Sequence, residues 1–155
     1  MKLREASAEY RASCYLLDVN VLLALLDPKH VFHDRAHAWF RKNCHSGWAT
    51  CPLTENGVIR IASQPSYPNP PGPPAIVTAL LREFCGQPTH VFWADKISLR
   101  DESRFAHTAL LRPSQLTDSY LLALAVAHKG FLATFDRQLI ADAVVGGKAA
   151  LHVIR

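Results

Sequence analysis

Residues 14–26 read Cys14-Tyr15-Leu16-Leu17-Asp18-Val19-Asn20-Val21-Leu22-Leu23-Ala24-Leu25-Leu26, an apolar run with one carboxylate in its middle. A short apolar run that halts at Asp-x-Asn and resumes as a Leu/Ala run predicts a buried parallel strand followed at once by a helix. Asp18 then stands at the carboxyl end of the strand, the edge where open α/β sheets bind ligands. A carboxylate amid so much apolar sequence also needs a partner, because an unpaired buried charge is costly. The alternative at this point is that Asp18 or Asn20 only caps the helix.

The same pattern returns near the other end of the chain. Phe131-Leu132-Ala133-Thr134-Phe135 predicts a second buried strand, and it too runs into an aspartate, Asp136. The stretch before it, Leu116 to Ala127, is a strongly apolar helix closed by Gly130. Its first turn carries Asp118, which shares one face with Leu121, Leu122 and Ala125. Thr117 or Asp118 as a helix cap is again the competing explanation.

Between these ends, Gly47-Trp48-Ala49-Thr50 predicts a short strand and Pro52 the first turn of a helix. On that helix Glu55, Val58, Ile59 and Ala62 fall on one face, so this glutamate points where the core residues point. A first-turn acid complementing the helix dipole would occupy the same place. His90 to Trp93 is a further strand candidate, and Ala149 to Ile154 a plausible edge strand after the Gly146-Gly147 turn. The expected fold is α/β, with a central, mostly parallel sheet of four to five strands flanked by helices on both faces.

The remaining segments are less specific. Asp27-Pro28 ends the first helix. His30, His33 and His37 follow, but no H-E-x-x-H motif and no cysteine partner accompanies them, so they predict a solvated, half-polar helix face rather than a metal site. The proline-rich stretch 64–74 predicts a semi-rigid surface loop bordering the site. Asp95, Asp101 and Glu102 read as surface acids, and Tyr67, Trp93 and Tyr120 as core or loop aromatics rather than base-stacking platforms. Residues 1–13 are expected to be a flexible lead-in to a single domain over 14–155.

A chain of 155 residues buries a sizeable core without staples. Its four cysteines, Cys14, Cys44, Cys51 and Cys85, are widely spaced with no C-x-x-C, and are expected to be reduced, which suits the cytoplasm. There is neither a secretory leader pattern nor a run of about 20 apolar residues, so no membrane is expected.

Two acids at strand ends and two on inward helix faces are expected to converge at the carboxyl edge of one parallel sheet. Gathered carboxylates repel, so one is protonated or a cation lies between them. An all-oxygen pocket suits Mg²⁺ or Mn²⁺ rather than zinc. With four acids in the pocket, the rest of the chain carries seventeen Lys and Arg against nine Asp and Glu, a surface that attracts polyanions such as nucleic acid. Metal-assisted hydrolysis of a phosphodiester joins the two features.

On four motifs in order, Leu17-Asp18-Val19-Asn20, Trp48-Ala49-Thr50-Cys51-Pro52-Leu53-Thr54-Glu55-Asn56-Gly57, Leu116-Thr117-Asp118-Ser119-Tyr120-Leu121-Leu122-Ala123-Leu124-Ala125 and Leu132-Ala133-Thr134-Phe135-Asp136, the chain resembles the PIN-domain ribonucleases, specifically VapC-type toxins of toxin–antitoxin pairs. The resemblance implies a Mg²⁺- or Mn²⁺-dependent endoribonuclease with Asp18, Glu55, Asp118 and Asp136 as its acidic quartet. It makes Asp18, Asp118 and Asp136 metal ligands, has Glu55 hold a bound water or second ion, and sets Asn20 and Thr134 beside the pocket. Arg137 and Gln138 follow Asp136, where some relatives carry a further acid. The implied partners are an RNA substrate, a VapB-type antitoxin that can insert an arginine among the acids, and a second copy of the chain. A PIN-like RNA- or protein-binding module with little turnover is the alternative. Phosphatase chemistry on a small ester is disfavoured by the lack of a phosphate-cradling G-x-x-x-x-G-K-[ST] loop.

Overall fold

A computed structural model describes residues 13–155; the expected lead-in, 1–13, lies outside them but for its last residue. The apolar run at the start forms β1 (Tyr15–Leu17) and, directly after Asp18, α1 (Val19–Leu26). There follow α2 (His33–Asn43), β2 (Trp48–Thr50), α3 (Pro52–Ala62), α4 (Pro74–Phe84), β3 (His90–Phe92), α5 (Leu116–Ala127), β4 (Phe131–Thr134), α6 (Gly147–Ala150) and β5 (Leu151–Val153). The five strands make one sheet in the order β3-β2-β1-β4-β5, and every pairing is parallel. β1 is central, with Leu17 opposite Ala133 of β4 and Leu16 opposite Ala49 of β2.

Strand alternation divides the core into two layers. Leu16, Ala49 and Leu132 face α5, in a cluster completed by Trp93 and Phe105. Leu17, Trp48 and Ala133 face the other way, onto α1, α2, α3 and α4. Both faces are covered, which is why the strands read as near-continuous apolar runs.

Three local expectations are corrected. The rings of His33 and His37 are half-buried and tied down rather than freely solvated: His33 Nδ1–H donates to the Ala24 carbonyl at 2.7 Å and His37 Nε2–H to the Leu25 carbonyl at 2.9 Å. They satisfy carbonyls at the end of α1 that have no partner within that helix. The proline-rich loop does not border the strand end at Asp18. Tyr67 donates to the Asp27 carboxylate at 2.6 Å, and Asp27 caps the opposite end of α1. Gly130 does not supply the left-handed residue that ends α5; Lys129 does, at φ 55°. The Lys129 and Gly130 amides donate to the Val126 and Ala125 carbonyls in the reciprocal pattern of a helix stop. Gly130 is needed for close approach, since a Cβ there would lie 2.6 Å from the Cys14 carbonyl oxygen and 2.9 Å from the Trp93 ring.

These two positions are separable by urea unfolding. Gly130→Ala is expected to lose about 1–3 kcal/mol through overpacking at the β4 entry. Lys129→Gly, which relieves the positive φ, is expected to gain about 0.5–1 kcal/mol.

Candidate functional site

The end of the central strand sets the first side chain. The Asp18 amide continues the ladder by donating to the Ala133 carbonyl at 3.0 Å, after which its extended backbone turns into α1. Its Oδ1 accepts from the Val19 amide at 2.7 Å, so the capping role is real. The other oxygen, Oδ2, accepts from the Thr134 hydroxyl at 2.7 Å, across the sheet at the end of β4. Asp18 thus caps its helix and faces a neighbouring strand end with the same carboxylate, while only 5% exposed.

Thr134 is fully buried and uses its whole bonding capacity. Besides donating to Asp18 it accepts from Asn20 Nδ2 at 3.2 Å and from the Asp136 amide at 3.1 Å. Asn20 returns through its Oδ1, which accepts from the Phe135 amide at 3.2 Å. The segment carrying Asp136 is therefore held against the start of α1 from both ends. Asp136 Oδ1 in turn accepts from the Gln138 amide at 2.8 Å, which shapes the turn.

Asp118 reaches the same place from α5. Neither it nor Thr117 is the cap of this helix; that position is Gln115, preceded by a short 3₁₀ turn, Pro113–Gln115. Burial first, then the charges of Asp18 and Asp136, push the Asp118 carboxyl up to about 6. Burial also raises Asp18, and the hydrogen bonds from Thr134 and Val19 pull it back, against a further rise from Asp136. The charge of Asp136 thus acts on both Asp18 and Asp118, and carboxylates at such range suit a hard cation between them.

Glu55 is anchored by its own partners at the end of β2. The cap of α3 is made by Cys51 and Thr54, whose hydroxyl accepts from the Cys51 amide at 3.0 Å. The Glu55 carboxylate instead accepts from the Thr50 hydroxyl at 2.7 Å, and its charge acts on Cys85 and His90. Thr50 ends β2 on the same side as Trp48, the face covered by α3 and α4, whereas Asp118 arrives from α5 on the other. Thr50 and His90 were not singled out by sequence reasoning. The signal available was the repeated Ala-Thr at the ends of β2 and β4, each giving a fully buried hydroxyl that donates to a carboxylate.

Trp93 and Tyr120 are buried, as expected of core aromatics. Among the described residues, no helix is long and apolar enough to cross a membrane.

Comparison with known proteins places this geometry. The family described as PIN domain matches residues 15–144. Ribonuclease VapC44 of Mycobacterium tuberculosis is 47% identical over 131 residues, which cover 84% of this chain and 92% of that protein. Ribonuclease VapC39 of the same organism is 41% identical over 131 residues, 84% of this chain and 94% of its own length. Ribonuclease VapC38 is 40% identical over 128 residues, 78% and 84% of the two chains.

The raised Asp118 carboxyl has a measurable consequence in the metal-free protein. Because it binds its proton more tightly folded than unfolded, it penalises folding above about 6, and the penalty fades as the pH falls to the ordinary carboxylate range. Asp118→Asn is expected to gain about 1 kcal/mol at neutral pH, discounted for a half-exposed group, and nothing in acid. Urea titrations across that range in EDTA check it.

Proposed function

The chain belongs to the PIN-domain family, and from that membership we propose that it is a metal-dependent endoribonuclease hydrolysing RNA phosphodiester bonds, the toxin of a VapBC-type toxin–antitoxin pair. The observation that supports the reading is the placement of Asp18, Asp118 and Asp136 near enough at the carboxyl edge of the sheet for the charges of Asp18 and Asp136 to act on Asp118. The fit of these carboxylates to Mg²⁺ or Mn²⁺ rests on their donor chemistry: hard oxygens, no sulfur or imidazole among them, and mutual repulsion that a cation relieves. In this proposal the three aspartates hold the ion, and Glu55, anchored separately by Thr50, supports the site from the other face of the sheet.

A divalent ion bound there supplies a more acidic attacking water and offsets charge on the scissile phosphate. The chain's own groups supply position. Thr134 fixes the direction of Asp18, and Asn20 ties the Asp136 segment to α1, so two of the three carboxylates need little reorganisation when substrate arrives. Arg137, which follows Asp136, and Arg155, which follows β5, line a cleft of about 290 Å³ with Val153. Their guanidiniums suit the flanking phosphates of an RNA strand.

A VapB-type antitoxin, a second copy of this chain and a cytoplasmic setting belong to the same proposal. An antitoxin arginine among three aspartates would pair with them directly and block the ion. The competing reading, a binding module with little turnover, gives the carboxylates the same partner but no catalytic duty.

Cleavage of a pool of structured RNAs by the purified, antitoxin-free chain separates the two. Cutting is expected with Mg²⁺ or Mn²⁺ and none with EDTA. Asp18→Asn and Asp136→Asn are each expected to lower the rate by more than about 100-fold, the upper end of what loss of an outer-shell partner costs. Folded wild-type protein that cuts nothing with either ion, yet binds a VapB-type antitoxin, would establish the binding module instead.

A further inference from the structure

The second cluster, on the other face of the sheet, has a different chemistry. Glu55 from the first turn of α3, Cys85 at the C-terminal cap of α4 and His90 at the start of β3 bring one carboxylate oxygen, one sulfur and one ring nitrogen within 4.8 Å of one another. It is the one such group among the described residues. Three residues far apart in sequence, on three separate elements, are thus gathered around the end of β2.

We propose that Glu55, Cys85 and His90 form a binding site for a borderline divalent transition-metal ion of the Zn²⁺ kind, separate from the three-aspartate pocket. The donor set decides the metal class. Sulfur and imidazole suit Zn²⁺ and disfavour Mg²⁺, which prefers an all-oxygen shell, so the two sites select different ions. One thiolate, one carboxylate and one neutral imidazole balance a divalent charge with nothing left over.

The surroundings are those of an oriented site. The His90 ring lies 4.6 Å from the Trp48 ring, and its backbone is registered against Trp48 in the β2–β3 ladder. Thr50, fully buried, receives His90 Nε2–H at 2.8 Å and donates to Glu55 Oε1 at 2.7 Å, which orients both ligands as outer-shell partners do. Nε2–H would stay on Thr50 and Nδ1, the unprotonated ring nitrogen, would bind the ion, while Thr50 keeps its bond to Glu55.

The Cys85 thiol, held up to about 11 by burial and the Glu55 charge, exchanges its proton for the ion, and that proton leaves to solvent. Tetrahedral zinc, with bonds of about 2.0–2.3 Å, draws the three ligand atoms together by roughly 1 Å. The three side chains line an open cavity of about 400 Å³ with Thr78 and Arg82 on its wall, from which a water would complete the shell. None of the four cysteines is in a disulfide, which leaves Cys85 available as a thiolate.

Co²⁺ is the probe, because a cobalt–thiolate bond gives a charge-transfer band in the near ultraviolet that an oxygen-only site cannot give. The reduced full chain is expected to show that band, saturating at one equivalent and bleached by added Zn²⁺. Cys85→Ser is expected to abolish it, and His90→Gln to weaken Zn²⁺ binding at least tenfold by calorimetry, while Asp118→Asn and Asp136→Asn keep both signals. No band in the wild type, a band that survives Cys85→Ser, or one that disappears in the folded Asp118→Asn protein would overturn the proposal. Because neither readout involves RNA, failure here leaves the nuclease reading standing, and failure of that reading leaves this site standing.

Discussion

A single buried hydroxyl holds the carboxyl edge of this sheet together. Thr134 has one proton to donate and two lone pairs, and all three are used, on Asp18, Asn20 and the Asp136 amide. The arrangement lets a carboxylate sit at the end of the central strand without being orphaned, since its two oxygens receive Thr134 and Val19. Its desolvation is offset only in part, and Asp136 adds like charge. A fold that keeps such a trio accepts a standing electrostatic cost which a bound cation relieves.

The parallel sheet explains why the molecule carries two clusters of ionisable groups rather than one. All five strands end at the same edge, but successive residues point to opposite faces. The β4 threonine serves the aspartates. The β2 threonine serves Glu55 and His90, on the side of α3 and α4. Equivalent local chemistry, a hydroxyl donating to an acid at a strand end, is thereby repeated in two settings with different neighbours: oxygens alone in one, sulfur and imidazole in the other.

The supporting layers depend on backbone groups being satisfied where helices meet. The final carbonyls of α1 receive His33 and His37 from α2, which adds polar links to the apolar contact that Ala36, Trp39 and Phe40 make in the same cluster. On the other face α5 stops at a lysine in the left-handed region, and the absence of a side chain at Gly130 lets β4 enter beside Cys14 and Trp93.

The sequence by itself determined the strand–Asp–helix unit at Asp18, its repetition at Asp136, the helices bearing Glu55 and Asp118, and a parallel sheet covered on both faces. Those follow from apolar runs, their length and their punctuation, which are local properties of a chain. Tertiary structure alone decided that the charges of Asp18 and Asp136 act on Asp118, that Glu55 keeps company with Cys85 and His90, and that the proline-rich loop lies at the far end of α1. Helical spacing tells which residues of one helix share a face, but it carries no information about which other element that face meets. His90 and Thr50 lie 40 residues apart and touch only because β3 is registered against β2. Pairing of that kind is set by the global packing of the sheet, and no local pattern around either residue encodes it.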